Sequence, residues 1–576
     1  MKYYVWVILF FIAAYLLPLG LRPMLSPEEF SFAQIPYDMI ANCNYLPDSL
    51  LYDTTTEKSF MTYWLSCLSM KLFGANAFGI RFAATLAIGL TSLLIAIFIR
   101  QLLNDKRLAA LASVIYLSGI LVYWAGIYPL SNSVFTFFAF LSTSTIALAI
   151  VEDSWTRRRV FMLILSGIAL FGGFFTVGFL AVGFWSVILI LFLLYKKRWL
   201  NLFTLFWIPL MVATVLSWIV GAVKFGLKYQ FFNFLLQIGD TSRISFANWN
   251  INLLWYYLGV FVIAIMPGSI LVFLSFRNSL SSQKELLKLD IYKFSLISTF
   301  IPFVIYPLLS EKSVINILPS IPYFAIIVAG QVALYLRSGI HIKFFNFILK
   351  FWGFIIGIIG FIAIICSPLI NNTELLKWFP NLKYCLFVIA ISGMMAVFSG
   401  VALLLNVQID NWRRQLMVFF GGIAFILLAI TSLFPAGIDY RIMPEDMIKK
   451  LLTKVNYKLS DNPNITIVTF PKIVKAVSWI CKRDDVYALE SINADKNDNN
   501  ERLMLKKQNL LLSLTQLENK ILQLKANERL FLIYWSNKDN YPVMAKVKYS
   551  YIYTDGLFSL VIFDNNSKRK NSKNEE

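Results

Sequence analysis

The sequence predicts a mainly α fold: a polytopic membrane protein with about 13 transmembrane helices, followed by a small C-terminal α/β domain on the outer face. Three observations predict it. Of the 576 residues, 58% are hydrophobic and only 15% charged, a balance that water-soluble domains rarely reach. Apolar runs recur from Met1 to about Leu433, each about 18 residues or longer and so able to cross a hydrocarbon core of roughly 30 Å. Beyond Pro435 the pattern changes to short strand-like runs separated by helical ones.

The predicted spans, in order, are 3–21, 79–100, 108–127, 132–151, 160–177, 179–195, 202–223, 253–276, 292–309, 315–336, 349–368, 383–405 and 414–434. The first resembles a signal peptide, but the acidic loop after it lacks a small-residue cleavage site, so a retained helix is expected. The pair 160–195 is joined by a very short turn. Alternate loops carry Lys106 and Arg107, Arg157 to Arg159, Lys196 to Arg198, then Arg277, Lys284 and Lys288, then Arg337 and Lys343, then Arg413 and Arg414. Basic loops stay in the cytoplasm. An odd number of spans then places the N-terminus inside and the C-terminal domain outside.

The intervening loops 22–78, 224–252, 310–314 and 369–382 face outward. The first is long and acidic, with Glu28, Glu29, Asp38, Asp48, Asp53 and Glu57. Loops longer than about 15 residues usually carry function. Within it, Ser59–Phe73 has helical amphipathic spacing and is expected to lie in the interface. The outer domain has strand-like runs at Ile465–Phe470, Asp485–Leu489, Arg529–Trp535 and Phe558–Phe563. Helical patterns occupy Pro444–Lys458, Val474–Cys481 and Asn500–Ala526. The organisation is therefore a transmembrane domain over 1–434, an α/β domain over 435–564, and a charged, disordered tail over 565–576. No internal repeat is evident, which weighs against transporters built from duplicated halves.

Several function classes fall away. The formal charge of +20 lies in short loops between apolar runs, which is a membrane-orientation pattern and not a nucleic-acid surface. The five cysteines (Cys43, Cys67, Cys366, Cys385 and Cys481) show neither metal-ligand spacing nor a disulfide framework. His341 is the single histidine and falls in a cytoplasmic loop, so histidine-based catalysis is not expected and no metal or other cofactor is predicted to be required. The spans contain almost no charge, which argues against a polar transport path.

Chemistry concentrates in the first outer loop, at Pro27-Glu28-Glu29 and Glu57-Lys58. Carboxylates just above a membrane face suit a substrate whose lipid tail stays in the bilayer. They can accept a proton or stabilise positive charge developing at a sugar carbon, and a lysine can neutralise a phosphate leaving group. Spacing alone favours a solvated loop with ordinary surface charges, because acidic pairs in loops are common. Arg81 and Arg243 lie near outer membrane ends, placed for phosphate contact or for snorkelling. Asp484-Asp485 reads as a turn or cap, and Asn500–Ala526 as a core helix.

The order of short motifs resembles the bacterial transferases that add 4-amino-4-deoxy-L-arabinose to lipid A, which group with protein O-mannosyltransferases in the C-type glycosyltransferase fold. Pro27-Glu28-Glu29, Ala33-Gln34, Glu57-Lys58, Tyr63-Trp64, Leu72-Phe73-Gly74-Ala75-Asn76, Phe78-Gly79 and Arg81 follow that family's first outer loop. Trp255-Tyr256-Tyr257 with Met266-Pro267-Gly268, Lys312 with Ile317-Leu318-Pro319, and Trp479 to Val486 resemble later family segments.

The resemblance implies an inverting transfer of a sugar from undecaprenyl phosphate to lipid A or a related envelope glycolipid, at the periplasmic face of the bacterial inner membrane. It assigns Glu28, beside Glu29, to catalysis and Lys58 to the donor phosphate, with Glu57, Arg81, Asn132, Arg243 and Lys312 lining the site. Four positions depart from the pattern. Glu28 replaces an aspartate. Ser31 stands where the family has arginine. A second family acid falls at Asn132, and the aromatic after the lysine loop falls at Asn316. The alternatives are a protein O-glycosyltransferase of the same fold, a polyprenyl-lipid transporter, or an inactive relative.

Overall fold

The computed structural model describes residues 2–25, 28–47, 59–152, 154–197, 202–225, 235–236, 238, 251–272, 286–305, 313–338, 342–371, 382–405, 412–437, 444–453, 464–483, 485–489, 510–525, 527–535, 549–555 and 558–564. The described chain forms two compact units. The first comprises Met1–Leu21, Asp38–Ser367 and Phe387–Ser432; the second comprises Arg22–Tyr37, Pro368–Leu386 and Leu433–Glu576.

The first unit is helical throughout. Its helices are α1 (Lys2–Phe11), α3 (Phe60–Phe73), α4 (Ala77–Leu103), α5 (Lys106–Ser118), α6 (Ile120–Ile127), α7 (Ser131–Val151), α8 (Arg157–Val177), α9 (Phe179–Tyr195), α10 (Leu202–Phe225), α11 (Ile251–Ala264), the short α12 (Gly268–Val272), α13 (Asp290–Ile305), α14 (Ile321–Ser338), α15 (Ile342–Asn371), α16 (Leu382–Leu405) and α17 (Trp412–Gly437). The last residues of α15 and α17 and the first of α16 belong to the second unit. Helix α2 (Glu28–Ala41) begins in the second unit and ends in the first.

Among the described residues, eight helices are long and apolar enough to cross a membrane, and a ninth span arises if α5 and α6 are taken together. This is a polytopic membrane protein. The predicted span 108–127 is not straight: α5 and α6 meet at 70°. Gly119 ends α5 in extended backbone, and the Ile120 N–H turns to the Met266 carbonyl at 3.1 Å instead of continuing the helix. The predicted pair 160–195 is two helices, α8 and α9. Their turn is a single residue, Gly178, whose φ of +68° is open to a residue without Cβ.

Local chemistry sets the ends. The Asn76 side chain caps α4 by accepting from the Gly79 N–H at 2.8 Å, and Asn104 closes it in the left-handed region. Asp105 caps α5 by accepting from the N–H groups of Arg107 and Leu108. Packing between α15 and α16 is backbone on backbone. A Cβ on Gly400 would lie 2.5 Å from the Gly353 carbonyl oxygen, and one on Gly393 would lie 2.8 Å from that of Gly360. In a bilayer such small-residue seams replace the hydrophobic drive that lipid removes.

The second unit holds a six-stranded sheet in the order β3-β2-β1-β4-β6-β5. Its strands are β1 (Ile465–Thr469), β2 (Tyr487–Leu489), β3 (Leu511–Leu512), β4 (Arg529–Trp535), β5 (Tyr551–Asp555) and β6 (Phe558–Phe563). β1 pairs in parallel with β2 and β4, and β2 with β3; β6 runs antiparallel to β4 and β5. Helices α18 (Glu445–Thr453), α19 (Val474–Cys481) and α20 (Leu514–Leu522) complete it. Val468, Leu517, Ile521, Leu530, Leu532, Val561 and Phe563 form one buried core. β4 and β6 carry near-continuous apolar runs, as interior strands do.

Four strands coincide with the expected runs. The expected helix Asn500–Ala526 needs correction. Its described part is a strand, β3, then a helix that starts only at Leu514, where Ser513 and Gln516 make a reciprocal capping box. Edge strand β5 went unpredicted. It exposes Tyr551 and Ile552, so its alternation does not read as half-buried. The expected tail, 565–576, lies outside the described residues.

Candidate active site

The acidic pair opens α2, where carboxylates complement the positive end of the helix dipole. The two residues have opposite environments. Glu28 is exposed. Glu29 is 1% exposed and is held at two points. The Arg22 guanidinium donates to its Oε1 at 2.9 Å, and the Leu25 N–H donates to its Oε2 at 2.8 Å. Arg22 is itself 2% exposed. A buried charge is tolerated only when paired and hydrogen-bonded, so this pair ties Arg22 and Leu25 to the first turn of α2. That turn presents Glu28 to solvent. One helical face further on, the Tyr37 ring meets Trp479 of α19 edge-on, with centroids 5.6 Å apart. Two stretches singled out from the sequence, Pro27 onward and Trp479 to Val486, thus pack within one unit.

Arg483 and Asp485, in the second of those stretches, form a bidentate pair. Nε to Oδ1 is 2.7 Å, and Nη2 also bonds Oδ2. The Arg483 guanidinium holds the Asp485 carboxyl below its ordinary range. Burial pushes the Cys481 thiol up to about 12. Asp484 lies outside the described residues.

In the first unit, Asn132 sits in the first turn of α7, and its Nδ2 donates to Asn316 Oδ1 at 3.3 Å. Asn316 belongs to a 3₁₀ turn, Val314–Ser320, capped by Ser313. The Tyr257 phenol of α11 also interacts with the Asn316 side chain. Three polar groups from distant parts of the chain therefore meet at one end of an apolar bundle. Beside them, at the end of α6, the Trp124 and Tyr128 rings lie 4.6 Å apart.

Arg81 is placed differently from either sequence expectation. It is 1% exposed, and its Nη1 donates to the Leu19 carbonyl at 2.9 Å. It fastens α4 to the end of the first helical segment and does not snorkel. Trp64 is likewise structural: its Nε1 donates to the Tyr45 carbonyl at 2.8 Å and its ring packs on Phe175.

Glu28 and Glu29 are thus neighbours on one turn, Asn132 is joined to Asn316, and Arg81 is joined to Leu19. Glu57, Lys58, Arg243, Lys312 and His341 lie outside the described residues, as does Pro27. Among the described residues no three His, Cys, Asp or Glu side chains converge as metal ligands would. Sequence reasoning missed Arg22. Its signal was a lone basic residue at the end of the first span, seven positions before a glutamate.

Comparison with known proteins bears on these placements. Residues 57–220 match the model of the dolichyl-phosphate-mannose-protein mannosyltransferase family. An undecaprenyl phosphate-alpha-4-amino-4-deoxy-L-arabinose arabinosyl transferase of Aeromonas hydrophila is 29% identical over 58% of this chain, and the match spans 60% of that relative's length. One with the same name from Edwardsiella ictaluri is 26% identical over 83% of this chain and 84% of its own. Over most of its length this chain is similar to the aminoarabinose transferases. The fold agrees throughout. The crystal structure of ArnT from Cupriavidus metallidurans bound to undecaprenyl phosphate superposes with a TM-score of 0.69 over 97% of both chains, at 14% identity.

Proposed function

We propose that this protein is an inverting glycosyltransferase. It moves a sugar from undecaprenyl phosphate to lipid A or a related envelope glycolipid, from within the bacterial inner membrane, with its α/β domain in the periplasm. The observation that carries this reading is the exposed Glu28, fixed by the buried Arg22–Glu29 pair, in a chain whose relatives bear that transferase name over most of its length.

Glu28 is the carboxylate that faces the anomeric carbon, and Glu29 positions it through Arg22. Lys58 neutralises the departing undecaprenyl phosphate, and Glu57, Arg243 and Lys312 line the site, as the resemblance implies. The acceptor oxygen forms the new bond to the anomeric carbon as the bond to the undecaprenyl phosphate oxygen breaks. An acceptor that is already an ionised lipid phosphate has no proton to lose, so an amide at Asn132 is compatible with transfer. Positioning and charge neutralisation are then the main contributions, and the chemistry draws on no metal.

Mass spectrometry of lipid A from cells with the protein, without it, and with Glu28→Gln tests this. Loss of one sugar-sized mass in both the deletion and the variant is expected. An unchanged profile overturns the acceptor. The match of residues 57–220 to a protein mannosyltransferase model favours a second reading, protein O-glycosylation, for which the same strains would lose glycan from envelope proteins.

A further inference from the structure

A cavity in the helical bundle has a lining that includes neither Asn132 nor Asn316. It is a groove of about 600 Å³ between α1, α5 and α17, within the first unit. Its walls are apolar, with Trp6, Leu111 and Phe420 among them, and two charged residues, Asp105 and Arg107, stand at one end. Volume and lining fall in the range of small-molecule sites, which pair apolar walls with a few polar groups.

The charged end is the basic end of the bundle. α4 has 27 residues, about 40 Å at the α-helical rise. It runs from Asn76, beside the first outer loop, to Asn104, beside the groove's mouth. Arg100, Lys106 and Arg107 are exposed there. α17, which supplies Phe420, begins with Trp412-Arg413-Arg414. Asp105, also at this mouth, caps α5. Basic pockets between spans on the cytoplasmic side recognise anionic headgroups, while apolar walls inside a bilayer take hydrocarbon.

We infer that this groove binds one acyl chain of an anionic glycerophospholipid from the cytoplasmic leaflet, with the lipid phosphate held by Lys106 and Arg107. The donor lipid of the proposed reaction is not its occupant, because the orientation that the basic loops predict puts that chemistry on the outer side and this groove's charged end on the cytoplasmic side. The inference stands whatever sugar or acceptor the protein uses.

The test uses purified full-length protein in detergent. Phosphatidylglycerol, phosphatidylethanolamine with the same acyl chains, and undecaprenyl phosphate are offered at equal concentration, and retained lipid is read by native mass spectrometry. Phosphatidylglycerol is expected to exceed phosphatidylethanolamine by at least about five-fold, the effect of one basic residue near a headgroup. The Lys106→Gln/Arg107→Gln double variant, at two exposed positions, should bring that ratio close to one. A Cβ on Gly421, which lines the groove, would meet nothing within 4 Å. Gly421→Phe should therefore fill the groove from a helix that keeps its backbone, and lower retention of both phospholipids. Equal retention of the two phospholipids by the wild type, phospholipid retention unaltered by Gly421→Phe, or loss of undecaprenyl phosphate on Gly421→Phe, which would place that lipid in the groove, overturns the inference.

Discussion

The Asn132 amide donates to the Asn316 side-chain oxygen across 184 residues of chain, and these are the two positions where an acid and an aromatic are expected by resemblance. The two departures therefore meet in space. An amide pair offers neutral donors and acceptors. It neither neutralises an ammonium group nor removes a proton at neutral pH. A substrate group that meets this cluster is expected to be an uncharged hydroxyl.

Asn132→Asp tests that reading. The new carboxylate removes the donor to Asn316 Oδ1, so the Asn316 amide must turn its NH₂ toward it, and it adds a charge. It should raise kcat/KM for an amino-sugar donor over its hydroxyl counterpart by about ten-fold, the scale of one charge-assisted hydrogen bond. An unchanged ratio places the cluster away from the sugar.

The Arg22–Glu29 pair makes a stability prediction. Arg22→Met leaves a buried carboxylate without its cation, and breaking a buried pair costs roughly 3–5 kcal/mol. The thermal midpoint in detergent should fall, and the Arg22→Met/Glu29→Leu double variant should recover much of the loss. Glu28→Gln, at an exposed position, should leave the midpoint unchanged while abolishing transfer. If Glu28→Gln also lowers the midpoint, Glu28 is structural.

The cysteines report on both exposure and topology. Cys43 is exposed, whereas Cys67 and Cys481 are buried. With its pKa pushed up to about 12 by burial, the Cys481 thiol stays protonated and unreactive near pH 8. A membrane-impermeant maleimide applied to spheroplasts should label Cys43 at once, and Cys481 only after denaturant. Labelling of Cys43 solely after membrane lysis contradicts the outward placement of the first loop.

Asp485 supplies a pH dependence. Its carboxyl is held below the ordinary range by Arg483. The unfolded chain therefore binds this proton more readily, and stability rises with pH through that window. The contribution is complete above the unfolded value of about 3.9 and is lost as pH falls through the lower folded value. Arg483→Gln should flatten the acid limb of the full-length protein's midpoint-versus-pH curve. The effect will be small, because the Asp485 side chain is 59% exposed. An identical acid limb in the variant removes the pair from the account.

Membrane character, the order of the helices and most strands of the C-terminal sheet were legible in the chain alone. Apolar length, basic loops and alternation are local patterns, and a bilayer or a sheet face reads them locally. Even Gly178, the whole turn between α8 and α9, was visible as a one-residue gap between two apolar runs. Edge strand β5 and the short β3 escaped because pairing with a neighbour, not their own burial, makes them strands. Only the tertiary structure decided which of two adjacent glutamates is locked to Arg22 and which is left exposed, that Arg81 is fastened inward to Leu19, and that Asn132 faces Asn316. Each of those depends on a partner that folding brings close, and no periodicity encodes the distance between residues that meet in space.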